Sequence, residues 1–302
     1  MTMQATHVIR SCKTDRIVYF VNSVLLTLFL IAVMYPFVYI ISCSFSSGQA
    51  LISGKVVLLP VEFTLDGYRA IMEYRDIWTG FYNSFLYTVG GTLLGITLTI
   101  LAAYPLSRPS LIGHKPLVML FLFTMLFNGG LVPNYMLVMK LGLINTSWAI
   151  LLPMALSAYN IIVARTFFIT SIPAELHESA ELDGCGEFRF LISIVLPLSK
   201  AILAVLALWI AIGYWNSYFN PMIYLNEKSK YPLQLILREI LLMANVDFTK
   251  AASNPELYYK NQQLSEILRY GTIIISSLPL MILYPFIQKY FVKGVMIGSV
   301  KG

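Results

Sequence analysis

Hydrophobic residues along this chain fall in blocks, and polar residues gather between them. Each block runs close to the ~20 residues that an α-helix needs to cross ~30 Å of hydrocarbon, which predicts six spans at about 17–43, 81–104, 116–139, 147–170, 194–224 and 269–291. Helices are required because an apolar block in lipid satisfies its backbone only within itself. The third block is interrupted by Asn128-Gly129-Gly130 and Pro133. Such a break is tolerated beside other helices or a water-lined cavity, so this span either runs through or ends near Gly130 with a re-entrant stretch after it.

The predicted fold class is therefore an all-α polytopic membrane protein. A short tail (1–16) precedes a six-span domain (17–292), and a second tail (293–302) follows it. The loops 46–80 and 226–268 lie on one side, and the loop 173–197 lies on the other. Punctuation by Gly48, Gly54 and Pro60 marks the first of these as loop, with a short helix expected from Phe63-Thr64-Leu65-Asp66-Gly67-Tyr68. The first block follows Arg10, Lys13 and Arg16 but is too long for a cleavable signal core, so it is an uncleaved span.

Composition agrees. Hydrophobic residues make up 58% of 302 positions and charged ones 12%, about half the charged share of soluble domains, which is roughly 25%. The net charge of +6 is scattered through short loops and tails, with no basic patch for nucleic acid. Lys and Arg divide almost evenly between the two sides. Long loops translocate largely regardless of their charge, so the short termini with Arg108 and Lys115 decide, and both ends are expected in the cytoplasm. The three cysteines, Cys12, Cys43 and Cys185, have no metal-ligand spacing and form no disulfide framework.

Catalytic and nucleotide motifs fail on inspection. His177-Glu178-Ser179-Ala180-Glu181 begins like the zinc-protease helix, but its second histidine position holds Glu181. Gly48 to Gly54-Lys55 imitates a phosphate-binding loop with one residue too many between the glycines, and Val56 brings no hydroxyl for magnesium. No span carries a row of acids like a proton relay or of arginines like a voltage sensor. The chain is expected to catalyse no reaction and to hold no cofactor or metal.

The loop between spans four and five is different in kind. Pro173 is placed to open a helix, Glu175 and Glu178 suit the positive end of its dipole, and Asp183-Gly184 signals a turn. The pattern predicts a short amphipathic helix over 173–182, with Leu176, Ala180 and Leu182 on its apolar side. Glu175, Glu178, Glu181, Asp183 and Glu187 stand against Arg189 alone. A negative cytoplasmic leaflet repels such a segment, so a protein groove is the expected partner.

The run Glu178-Ser179-Ala180-Glu181-Leu182-Asp183-Gly184, followed after nine residues by Ile194-Val195-Leu196-Pro197, resembles the EAA motif of permease subunits of bacterial ABC importers. The resemblance extends through FTLDGY (63–68), NSF (83–85), AAYPLSRP (102–109), LGLINTSW (141–148) and the ending QKYFVKGVMIGSVKG (288–302). All are similar to the carbohydrate branch, the maltose-type and lipoprotein-binding-protein-dependent oligosaccharide permeases. Ser179 replaces the usual Ala, and Ala201 stands where a second proline is frequent.

This resemblance implies a type I ABC importer permease fold working by alternating access, in the bacterial cytoplasmic membrane. Glu178, Ser179, Ala180, Asp183, Gly184, Leu196 and Pro197 would form the coupling helix and its turn, docked on an ATPase. Gly298 to Gly302 would also reach toward the ATPase pair. The implied partners are a second homologous permease, two ATPases that bind ATP and Mg, and an extracytoplasmic solute-binding protein. An oligosaccharide is the implied solute, with polyuronides and plant- or algal-wall fragments among those allowed. A self-contained secondary transporter or channel is the alternative; it requires intramembrane charges or an inverted repeat, and neither is found.

For the solute path the candidates are Tyr159 and Asn160 in span four and Trp215, Asn216, Tyr218 and Asn220 in and after span five, near Trp209. Aromatic faces cover the CH patches of sugars and amides bond their hydroxyls. The competing role for each is an interfacial belt or helix packing. Met119, Met125, Met136 and Met139 are expected to pack.

Overall fold

A computed structural model of the chain describes residues 13–243 and 255–299. Every regular element among them is helical. The chain divides into two compact units, residues 1–70 with 247–274 and residues 71–246 with 275–302.

The first unit begins with α1 (Lys13–Ser44). Its residues from Ile17 to Phe37 are exposed on every side although most are apolar, which suits lipid or another chain rather than water. Burial starts at Ser42, where a serine run ties the end of α1 to the loop that follows. Ser42 Oγ donates to the Leu58 carbonyl at 2.6 Å, Ser46 Oγ donates to Ser42 O at 2.7 Å, and Ser46 Oγ accepts from Val61 N at 3.0 Å. Ser47 caps the short α2 (Gly48–Ile52) by accepting from Ala50 N. The expected helix after Phe63 is α3 (Asp66–Glu73), and Tyr68 within it donates to Ser44 Oγ at 3.0 Å.

The second unit is organised on α4 (Arg75–Leu106). Its buried positions, Ile77, Gly80, Ser84, Tyr87, Gly91, Gly95, Thr99 and Ala103, recur every three or four residues and are mostly small. Small residues let helices in lipid approach to backbone contact. A Cβ built at Gly91 would stand 2.3 Å from the Tyr214 ring, and one at Gly95 would stand 3.1 Å from the Ala155 carbonyl.

Three further helix pairs of this unit are bent at short breaks. α5 (His114–Leu126) and α6 (Leu131–Lys140) meet at 113° across Asn128-Gly129-Gly130, where Gly130 at φ +86° turns the chain and Asn128 Oδ1 accepts its N–H at 2.9 Å. α7 (Trp148–Ala155) and α8 (Ala158–Ser171) meet at 47°, with Ser157 capping α8. That second break was not expected inside span four. α9 (Ala174–Leu182) is followed by α10 (Glu187–Phe190), which passes through a π-helical turn at Leu191–Val195 into α11 (Leu196–Leu198). A bend of 83° between Leu198 and Lys200 leads to α12 (Lys200–Trp215). The span expected over 194–224 thus starts earlier, bends at Ser199 and ends at Trp215. Pro197 lacks an N–H and crowds the carbonyl four residues back, which accounts for irregular helix here. α13 (Phe219–Tyr224) is a separate short helix.

Two unbroken helices and three bent pairs are long and apolar enough to cross a membrane among the described residues. The sixth expected span falls inside α15 (Pro255–Ser299), a single helix of 45 residues carrying Pro279 and Pro285. Much of the loop expected at 226–268 is helical as well. α14 (Leu233–Met243) buries Leu233, Leu235, Ile236, Leu237 and Ile240, and α15 starts at residue 255. The expected tail 293–302 continues α15 to Ser299; residues 300–302, and residues 1–12 of the N-terminal tail, lie outside the described residues. Met119, Met125, Met136 and Met139 are exposed in the single chain, so their packing partners are not within it.

Candidate functional site

The loop after α8 is built by local rules. Ile172 precedes a proline, which pushes it to extended backbone, observed at φ −116° and ψ 105°. Pro173 at φ −59° then opens α9, with Glu175 in the first turn where the dipole favours it. At the other end Gly184 takes φ +72°. Its N–H donates to Glu181 O at 2.9 Å, and the Cys185 N–H donates to Ala180 O at 2.8 Å. These two bonds make a complete Schellman ending, for which a glycine in the left-handed region is the usual residue. Nothing lies within 4 Å of a Cβ built there, so backbone conformation and not crowding within the chain calls for glycine.

One residue anchors α9 apolarly. Ala180 is 7% exposed, in a cluster with Tyr104, Phe168, Ile172, Phe190 and Leu191. Leu176 and Leu182, expected on the same apolar side, are not covered; Leu182 is 90% exposed, and Phe188 beyond the turn is 69% exposed. Glu178, Ser179, Glu181, Asp183 and Gly184 are exposed beside them. Ser179, in place of the usual alanine, turns its hydroxyl onto its own helix, donating to Glu175 O at 2.8 Å. Leu196 packs against the Ala180 cluster, and Pro197 is exposed at the entry to the bend.

A polar chain joins this loop to the end of α4. The Tyr104 hydroxyl donates to Glu187 Oε2, and Arg108 Nη2 donates to the Tyr104 oxygen at 3.2 Å. His177 Nε2–H, from α9, donates to Glu187 Oε1 at 2.9 Å. The Arg108 guanidinium lies 4.9 Å over the Tyr104 ring and 5.1 Å over the Phe190 ring, and His177 meets Phe190 edge-on at 5.0 Å. Arg165 of α8 secures the same end of α4, its Nε donating to Leu106 O at 2.7 Å. A cation there also complements the negative end of the helix dipole. None of these five polar residues is among the candidate site residues: in the sequence Arg108 bears only on topology, Glu187 only on the charge of the loop, and His177 only on the failed zinc motif.

The candidate solute-path residues separate into two groups. Tyr159 is exposed, and its ring lies 5.9 Å from that of Trp209. Asn160 is half-buried, with its backbone N–H on Ser157 Oγ. Asn216 and Tyr218 are exposed and Asn220 half-buried just beyond α12. Trp215 stands apart at 3% exposure: its indole N–H donates to Ser276 O at 2.9 Å, and its ring meets Phe81 edge-on at 5.5 Å. Within the chain it is a packing residue. Among the described residues no group of three or more His, Cys, Asp or Glu side chains is arranged to hold a metal ion.

Residues 95–297, which include the whole loop 173–197, match the model of the family described as binding-protein-dependent transport system inner membrane component. The chain belongs to this family. It is 38% identical over 277 residues to the polygalacturonan/rhamnogalacturonan transport system permease protein YtcP of Bacillus subtilis (strain 168), covering 92% of this chain and 96% of that one. It is 36% identical over 300 residues to protein LplC of the same organism, covering 99% and 100%. Among solved structures it is similar to a chain of a bacterial ABC transporter involved in the import of the acidic polysaccharide alginate, at 35% identity and TM-score 0.84, covering 93% of this chain and 99% of that one. This permease is a multi-pass inner-membrane protein with the type I ABC importer permease fold.

Proposed function

We propose that this permease carries a uronate-bearing oligosaccharide from an external solute-binding protein into the cytoplasm, driven by ATP hydrolysis on separate ATPase subunits. The observation that carries the reading is the exposed end of α9, with Leu182, Phe188 and the acids around them held by the Schellman turn. An exposed apolar and acidic knob on a short, rigidly ended helix is suited to a groove on another protein. The family match supports transport, and the acidic polymers handled by YtcP and by the alginate transporter support the solute class.

On this reading the permease pairs with a second homologous permease and with two ATPases, which hold ATP and Mg. ATP binding closes the ATPases, their motion turns α9, and the spans open outward; hydrolysis resets the inward-facing state. Both termini and the loop 173–197 lie in the cytoplasm, and 46–80 and 226–268 lie outside. Tyr159, Asn160, Asn216, Tyr218 and Asn220 are the residues assigned to the solute path, with Trp215 behind them. The test is mass spectrometry of what copurifies with the N-terminally tagged chain from its own host's membrane in mild detergent, followed by uptake of labelled oligogalacturonides by the reconstituted complex. An ATPase and a second permease are expected. Recovery of a homo-oligomer alone, or of a complex that ignores every uronate oligomer while taking up neutral sugars, would overturn the subunit or the solute assignment respectively.

A further inference from the structure

α9 is joined to α8 and α10 by the chain itself, but its connection to α4 runs through side chains. A cleft lined by Tyr104, Ser107, Arg108, Phe168, Ile172 and Ala174 opens between the end of α4 and the head of α9, so apolar packing does not fill that space. Beside the apolar cluster that gathers Ala180, Phe190 and Leu191 with Ala103, Tyr104 and Leu106 of α4, a polar chain crosses from the loop to α4: His177 on α9 to Glu187 at 2.9 Å, Glu187 to Tyr104, and Arg108 behind Tyr104 at 3.2 Å. Glu187 receives one donor on each carboxylate oxygen, which fixes its orientation as well as its position. Charge-assisted hydrogen bonds of this kind are about twice as strong as neutral ones. Tyr104 is itself buried and Phe190, beneath His177 and Arg108, is 1% exposed, so the rings at both ends of the chain are held in place.

We propose that Glu187 is a strut that makes α9 and the cytoplasmic end of α4 move as one body during the transport cycle. The inference rests on the coupling role proposed for α9 and adds a second mechanical route beside the covalent one through α10 and α12. Because α4 is the long unbroken helix of its unit, a push delivered to it reaches the opposite face without passing a break. Tyr104, His177 and Arg108 are positioning residues for Glu187.

The test uses the whole transporter in lipid nanodiscs, with Cys12, Cys43 and Cys185 replaced and spin labels on exposed residues Thr97 of α4 and Glu175 of α9. The distance between the labels is measured without nucleotide and in the ATP-trapped state. With Glu187 present the distance is the same in both states; in Glu187→Ala it changes on trapping, and the stimulation of ATPase by solute-loaded binding protein falls about fivefold or more, within the usual range of coupling energies. Glu187→Gln keeps an acceptor for Tyr104 and a partner for His177 and restores both readouts. Tyr104→Phe, which removes one hydroxyl, reproduces the Ala phenotype if the Ala variant fails to assemble. A distance that changes equally with and without the Glu187 carboxylate, full stimulation in both variants, or a Gln variant no better than Ala overturns the strut. Absence of any ATPase from the unsubstituted complex overturns the functional proposal and the strut together, whereas a changing distance with the ATPase present overturns the strut alone.

Discussion

Substitution of Gly184 separates what the turn needs from what a partner needs. Its φ of +72° costs an L-residue roughly 1–2 kcal/mol, while an asparagine tolerates that region far better. Since nothing within the chain lies near the added Cβ, the whole penalty of Gly184→Ala is conformational. A shift of that size is about a 5–30-fold change in the ratio of closed to opened turn. It is read in hydrogen exchange at two amides, Gly184 and Cys185, which donate to Glu181 and Ala180. Ala is expected to lower their protection by that factor and Asn by clearly less, with both chains inserted normally. ATPase retention in mild detergent is the second readout: Asn and Ala fill the same open space, so if the partner requires bare backbone there, both lose the ATPase, and Gly184→Asp loses it as well. Unchanged protection of the two amides in Gly184→Ala would refute the conformational argument.

Gly91→Leu drives a side chain into the Tyr214 ring, 2.3 Å from the first added atom. Overpacking costs about 1–3 kcal/mol even where neighbours can adjust, so a lower midpoint of thermal unfolding in detergent is expected, with Gly213→Ala, where space is open, unchanged as the control. Trp215→Phe removes the bond to Ser276 and is expected to cost about 1 kcal/mol in the same assay while leaving the order of solute preference in transport unaltered; a changed preference would return Trp215 to the solute path. In the loop after α13, Glu227 accepts from Asn145 and pairs with Lys230 at 3.1 Å, and these partners hold its carboxyl below the usual range. A depressed carboxylate lends stability above its unfolded pKa and loses it as pH falls through the folded value, so protection of the amides at 226–231, relative to their intrinsic exchange rate at each pH, is expected to fall on acidification, and Glu227→Gln is expected to remove that fall.

The spans were visible in the sequence because lipid enforces one rule on backbone groups, and a block of apolar residues near helix length has few other uses. The turn at Asp183-Gly184 was visible for a similar reason: a glycine after an amphipathic run has a conformational meaning of its own. The bends at Ser157 and Ser199 were not, since hydropathy averages over a window and a serine within an apolar run scarcely moves the average. Pro197 was the available clue to the second bend. The strut was missed because its members come from three segments, at 104–108, 177 and 187, and hydrogen bonds between distant segments leave no periodic mark. Trp215 shows the converse: an aromatic beside amides looks the same in sequence whether or not its indole is bonded within the chain, and here it donates to a carbonyl on α15.

The distribution of breaks bears on how the machine works. α5–α6, α7–α8 and α10–α12 each bend at a short break, while α4 runs 32 residues as one unbroken helix. Polar backbone freed by a bend is tolerated in a membrane only where protein or water covers it, so bent helices are matched to the interior of an assembly, and the load-carrying role proposed for α4 falls on a helix without such a break. α4 meets α12 along glycines that admit the Tyr214 ring, whose hydroxyl in turn donates to Leu151 O of α7 at 2.7 Å. One straight helix therefore touches two bent ones through contacts that allow little adjustment. At its other end the same helix receives Glu187. On the proposed coupling role, a displacement of the loop 173–197 that passed through α10–α12 alone would meet the 83° bend at Ser199, where it could be absorbed as a change of angle; the proposed route through α4 meets no such bend and leads to Asn83, which donates to the Ser229 and Tyr231 carbonyls at 2.8 and 3.0 Å.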